Sequence, residues 1–127
     1  MRVHVIAATL ALLLASGGAF AHGAPPAPAH GGQITEDSGE HWVELVIGGD
    51  TLTVWVLDAD KNPVPAAQLG GKATVLVAGK SQAVVLASGD ANSLVGKLSV
   101  ATEGKATTVL SLTVAGKTAQ ARFVSAP

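Results

Sequence analysis

An all-β fold is predicted by three features of this 127-residue chain. Short runs of β-branched and apolar residues recur at regular spacing. Gly, Asn, Asp and Lys punctuate them. No segment carries a persuasive 3.6-residue period, so helices have no pattern to grow from. Together these point to an antiparallel, immunoglobulin-like β-sandwich of about seven strands over residues 33–127, with a small closed barrel as the second choice.

The elements follow in chain order. Arg2, the apolar run Val5–Ala15 and the small-x-small triplet Ala19-Phe20-Ala21 read as a signal peptide over residues 1–21. Cleavage after Ala21 makes His22 the first residue; a cut after Ala19 would place it third. The apolar run is too short for a convincing membrane span. Residues 22–32 carry Pro25, Pro26, Pro28 and His30-Gly31-Gly32, a composition that disfavours helix and suits an extended, mobile arm. Strands are expected near Gln33–Glu36, His41–Ile47, Leu52–Leu57, Ala73–Ala78, Ala83–Ala87, Leu94–Val100, Thr107–Val114 and Thr118–Val124.

Alternation assigns faces. Leu94, Gly96, Leu98 and Val100 should share one face, and Thr108, Leu110, Leu112 and Val114 should point inward, as should Ala119, Ala121 and Phe123. Leu52–Leu57 is apolar on both sides, which suits a covered strand whose outward Trp55 lies under the N-terminal arm. Gly49, Gly79, Gly104 and Gly116 stand where hairpins need positive φ.

Composition narrows the function. Loss of residues 1–21 leaves 106, with seven basic and nine acidic side chains. That balance and the few aromatics exclude a nucleic-acid footprint. Cys is absent and the only Met is Met1, so any metal site must use nitrogen and oxygen donors, which suit Cu(II), Zn(II) or Ni(II). The three histidines left after cleavage, His22, His30 and His41, all lie in the first fifth of that chain. A terminal His22 offers its α-amine and imidazole Nδ1 as a chelate. His30 or His41 can add a further nitrogen, with Glu36, Asp37, Glu40 and Glu44 as the nearest carboxylates. Such binding weakens in acid, because imidazoles must be neutral to ligate.

Each histidine also has an ordinary reading: His22 as a mere cleavage product, His30 as linker, His41 as a local hydrogen-bonder at a strand end. Enzymatic readings find no footing. Gly116-Lys117-Thr118 and Gly79-Lys80-Ser81 end like phosphate loops, but Ser111 and Thr74 replace the required earlier Gly. No Gly-x-Ser-x-Gly elbow exists. Asp58 and Asp60 read as solvated turn residues, and Trp42 and Trp55 as packing anchors.

Several segments carry a family likeness: His30-Gly31-Gly32, His41-Trp42-Val43-Glu44-Leu45-Val46, Leu52-Thr53-Val54-Trp55-Val56-Leu57-Asp58, Gly89-Asp90-Ala91-Asn92-Ser93-Leu94-Val95-Gly96 and Ala121-Arg122-Phe123. They resemble small periplasmic proteins associated with heavy-metal resistance and efflux, and the soluble segment of some metal-efflux membrane-fusion adaptors. A terminal His ahead of a β-sandwich is also similar to copper-resistance proteins of the copper-carrier type, although this chain lacks their later histidines and Met-rich loop. The resemblance implies a periplasmic, non-enzymatic carrier, buffer or efflux accessory for Cu(II) or Zn(II), partnered by an efflux adaptor or another envelope protein. The competing expectation is an immunoglobulin-like interaction module with no metal site.

Overall fold

A computed structural model describes residues 23–102 and 105–124; the expected signal peptide and His22 lie outside them. Eight strands form: β1 (Gln33–Glu36), β2 (Trp42–Gly48), β3 (Thr51–Leu57), β4 (Leu69–Val77), β5 (Lys80–Ser88), β6 (Ser93–Lys97), β7 (Thr107–Val114) and β8 (Lys117–Val124). A 3-10 turn, Ala66–Gln68, precedes β4. Among the described residues no helix is long and apolar enough to cross a membrane.

All pairings are antiparallel, in the order β1-β2-β3-β6-β5-β4-β7-β8. The strands thus make one continuous ladder of eight, against the expectation of about seven. Strand β5 changes partner along its length. Lys80–Leu86 face β4, while Ala87 and Ser88 face β6. The ladder curls until its two ends meet. There Gln33 Nε2 donates to the Val124 carbonyl at 3.0 Å, the Ser38 N–H donates to the Gln120 carbonyl at 2.9 Å, and the Gln120 N–H donates to Ser38 Oγ at 3.0 Å. The sheet is therefore nearly closed into a barrel.

Period-2 alternation builds the interior. Val43 and Leu45 of β2, Leu52, Val54 and Val56 of β3, Ala73 and Val75 of β4, Val84 and Leu86 of β5, Leu94 of β6, Leu110 and Leu112 of β7, and Ala121 and Phe123 of β8 form one core. Each large aliphatic side chain buried there stabilises the fold by roughly 1.5–3 kcal/mol relative to exposure. With no disulfide to constrain the unfolded chain, this core and the ladder hold the fold together.

Three expected strands have other bounds. Strand β5 begins at Lys80 rather than Ala83, where Lys80 pairs with Val77 of β4. Strand β4 begins at Leu69 rather than Ala73, because Gly70 and Gly71 continue the ladder opposite Thr113 and Leu112 of β7. Strand β6 stops at Lys97 rather than Val100. The side-chain oxygen of Gln82 captures the N–H groups of Ser99 and Val100 at 2.9 and 3.2 Å, which diverts the chain. Val100 therefore does not share the inward face with Leu94 and Leu98; it is 68% exposed.

Gly49, Gly79 and Gly116 have the expected positive φ; Gly104 lies outside the described residues. Ala78-Gly79 and Ala115-Gly116 have positive φ at both positions (51° and 79°, 48° and 83°), the geometry that matches strand twist in two-residue loops.

Candidate functional site

Glu44 organises the site. Alternation turns Val43 and Leu45 into the core and leaves Trp42, Glu44 and Val46 on the outer face of β2. Glu44 stands opposite Ile34 of β1 and Trp55 of β3. An outward carboxylate on a sheet ordinarily meets water, yet Glu44 is only 5% exposed. The N-terminal arm covers it.

Four hydrogen bonds converge on this carboxylate. Oε1 accepts from the Ala29 N–H at 3.1 Å and bonds His30 Nδ1 at 2.9 Å. Oε2 accepts from the N–H groups of His30 at 2.8 Å and Gly32 at 2.9 Å. The His30 ring also stacks on Trp55, with centroids 3.7 Å apart and planes 5° from parallel. Residues 29–32 are thus held against the sheet, which the composition of the arm does not suggest, and Trp55 lies under the arm as its outward position implied. Gly32 permits the close approach: a Cβ there would run into the Leu45 carbonyl oxygen and sit 2.8 Å from Val46 Cγ2. A cavity of about 50 Å³ remains beneath, with Ala27 and Ala29 on one side and Ile34, Trp55, Leu57 and Asn92 on the other.

An ionised carboxylate only accepts, so the hydrogen between His30 Nδ1 and Glu44 belongs to the imidazole. The lone pair of the neutral ring then sits on Nε2, on a side chain 40% exposed. His41 has the same arrangement elsewhere. Its Nδ1 lies 3.0 Å from Asp37 Oδ2, and Asp37 Oδ1 accepts from the Gly39 and His41 N–H groups at 2.9 and 2.8 Å. The Asp37 side chain is fully buried and His41 is 20% exposed. His41 therefore does bond locally at the start of its strand.

The structure does not bring His30 and His41 into one donor set. Each is paired with its own carboxylate, and among the described residues no three His, Asp or Glu side chains group closely enough to hold a metal ion. Asp58 Oδ1 accepts from the N–H groups of Asp60 and Asn62, both at 2.9 Å, as expected of a turn residue. A larger cavity of about 380 Å³ opens at the barrel mouth between Leu45, Ile47, Ala106, Thr108 and Phe123. Among the described residues no imidazole or carboxylate lines it.

Burial alone would raise the Glu44 pKa. Hydrogen bonds from the His30 ring, and then from the N–H groups of Gly32, His30 and Ala29, outweigh it and hold the pKa below the ordinary 4.5. A depressed pKa means that docking favours the ionised form. Its contribution is complete above about 4.5 and disappears as pH falls through the lower, docked value. The protection factors of the Ala29, His30 and Gly32 amides, taken against the intrinsic exchange rate at each pH, should therefore be high at neutral pH and fall on acidification below 4.5. In Glu44→Gln that acid step should be absent.

No protein-family model, curated protein or solved structure matches the chain.

Proposed function

We propose that this protein is an exported, periplasmic metal-binding accessory, non-enzymatic, which takes Cu(II) or Zn(II) through His22 with His30 as the assisting ligand. The observation that carries this reading is the orientation of His30. A ligating histidine commonly donates its second ring N–H to a carboxylate, which fixes the tautomer and aims the other nitrogen at the metal. His30 donates Nδ1–H to Glu44, which leaves the Nε2 lone pair as the ring's remaining donor on a side chain that is 40% exposed. The donor set fits a nitrogen-preferring divalent ion: an imidazole in the fold, and an amine and a second imidazole eight residues upstream if cleavage follows Ala21. His30 is favoured over His41 because its side chain is twice as exposed, 40% against 20%, and because it shares the arm with His22. The role inferred is that of a carrier, buffer or efflux partner, in keeping with the likeness to heavy-metal resistance proteins.

The body is best read as immunoglobulin-like. With β1 set aside, the ladder order is β2-β3-β6-β5 followed by β4-β7-β8. Such a sandwich orders its strands A-B-E-D in one sheet and C-F-G in the other. The change of partner along β5 falls where the first group passes into the second.

Titration of the chain beginning at His22 with Cu(II) tests the metal reading. Bound Cu(II) should quench Trp55, and most of that quenching should vanish in Trp55→Phe, which retains Trp42. His22→Ala and His30→Ala should each weaken binding at least tenfold. Equal binding by both variants and the parent would refute it.

A second reading, an interaction module, draws on apolar side chains on the outer face of β4, β5, β7 and β8. Leu76, Val85, Val109 and Val124 are 43%, 82%, 39% and 54% exposed. It predicts capture of an efflux adaptor or another envelope protein that persists in chelator and after loss of all three histidines.

A further inference from the structure

We infer that Glu44 and Trp55 are positioning residues that convert a histidine on a Pro/Gly arm into a preorganised metal ligand. The inference rests on the metal reading above.

A free imidazole on such an arm rotates about two side-chain bonds and presents either nitrogen. Binding a metal through it must first remove that freedom, which lowers affinity. Here the freedom is already removed. Glu44 holds the backbone through the N–H groups of Ala29, His30 and Gly32, and holds the ring through Nδ1. Trp55 sets the ring plane by stacking. All four hydrogen bonds end on one side chain, itself anchored in a strand paired on both sides. The two residues touch the ligand and not the metal, so they act by orienting His30.

Glu44→Gln keeps the shape of the side chain but leaves an acceptor at only one of its two oxygen positions. Gly32→Ala is a second way to lift the arm that keeps the Glu44 carboxylate, because its Cβ meets the Leu45 carbonyl oxygen and lies 2.8 Å from Val46 Cγ2 and 3.0 Å from Glu44 Cγ. Zn(II) affinity should be measured by chelator competition on the chain beginning at His22, alongside amide exchange of residues 29–32 in metal-free protein. Both variants should accelerate exchange at those amides and weaken Zn(II) binding by roughly ten- to a hundredfold. Glu44→Gln combined with His30→Ala should bind no more weakly than His30→Ala alone, since the carboxylate acts only through that ring. If His30→Ala weakens binding while Glu44→Gln and Gly32→Ala bind as the parent does, the positioning role is overturned and the metal reading stands. If His30→Ala binds as tightly as the parent, His30 is no ligand and both fall together.

Discussion

Leu110→Ala should lower the stability of this protein by about 2–5 kcal/mol, near the top of that range. Leu110 is fully buried in the middle of β7. Its cross-strand partners on either side are Ala73 and Ala121. Alanine neighbours have no side chain to swing into the space a truncated leucine leaves, so the cavity persists. A domain of this size has about 5–15 kcal/mol in total, and no disulfide limits the loss. Urea unfolding should show a lower midpoint with unchanged slope. Val109→Ala is the control. Its side chain is 39% exposed on the other face of the same strand, so its cost should stay within about 0.5 kcal/mol. Equal losses would mean that β7 does not present the faces described.

Gly71→Ala should cost about 1–3 kcal/mol, a large effect for one added methyl. Gly71 pairs with Leu86 on one side and Leu112 on the other, so β4 cannot shift to relieve a clash. A Cβ there would meet the Ser111 carbonyl oxygen and lie 3.4 Å from Leu112 Cα, backbone atoms of the adjoining strand. The preceding glycine provides the contrast. At Gly70 a Cβ would have nothing within 4 Å, and Gly70→Ala should be close to neutral. Thermal unfolding of the two single variants tests this directly, and indistinguishable midpoints would contradict the close approach of β4 and β7.

Period-2 patterning made most of the ladder legible. Strands β1 and β7 run over the expected residues, and the inward sets Leu52/Val54/Val56 and Ala119/Ala121/Phe123 are buried. The misjudged boundaries have local causes. Gly70-Gly71 has low strand propensity, but pairing of both with β7, and of Gly71 with β5 as well, overrides it. The stop of β6 depends on Gln82, which is distant in sequence from Ser99 and Val100. The site was legible in pieces: His30 and His41 as nitrogen donors, Glu44 and Asp37 as nearby carboxylates, Trp55 as a covered surface. What the sequence hides is who pairs with whom. Glu44 alternates to the outer face and reads as solvated, and only the return of the arm over β2 buries it. Three of its four hydrogen bonds come from main-chain N–H groups, which leave no trace in residue identity.

The tie between the first and last strands bears on solubility. Unsaturated margins of a β-structure can recruit further chains and nucleate fibrils. Here the two margins face each other, joined through Gln33, Ser38, Gln120 and Val124. A would-be recruit must break those links before it finds a template, so concentrated solutions should resist filament growth for as long as the seam stays shut.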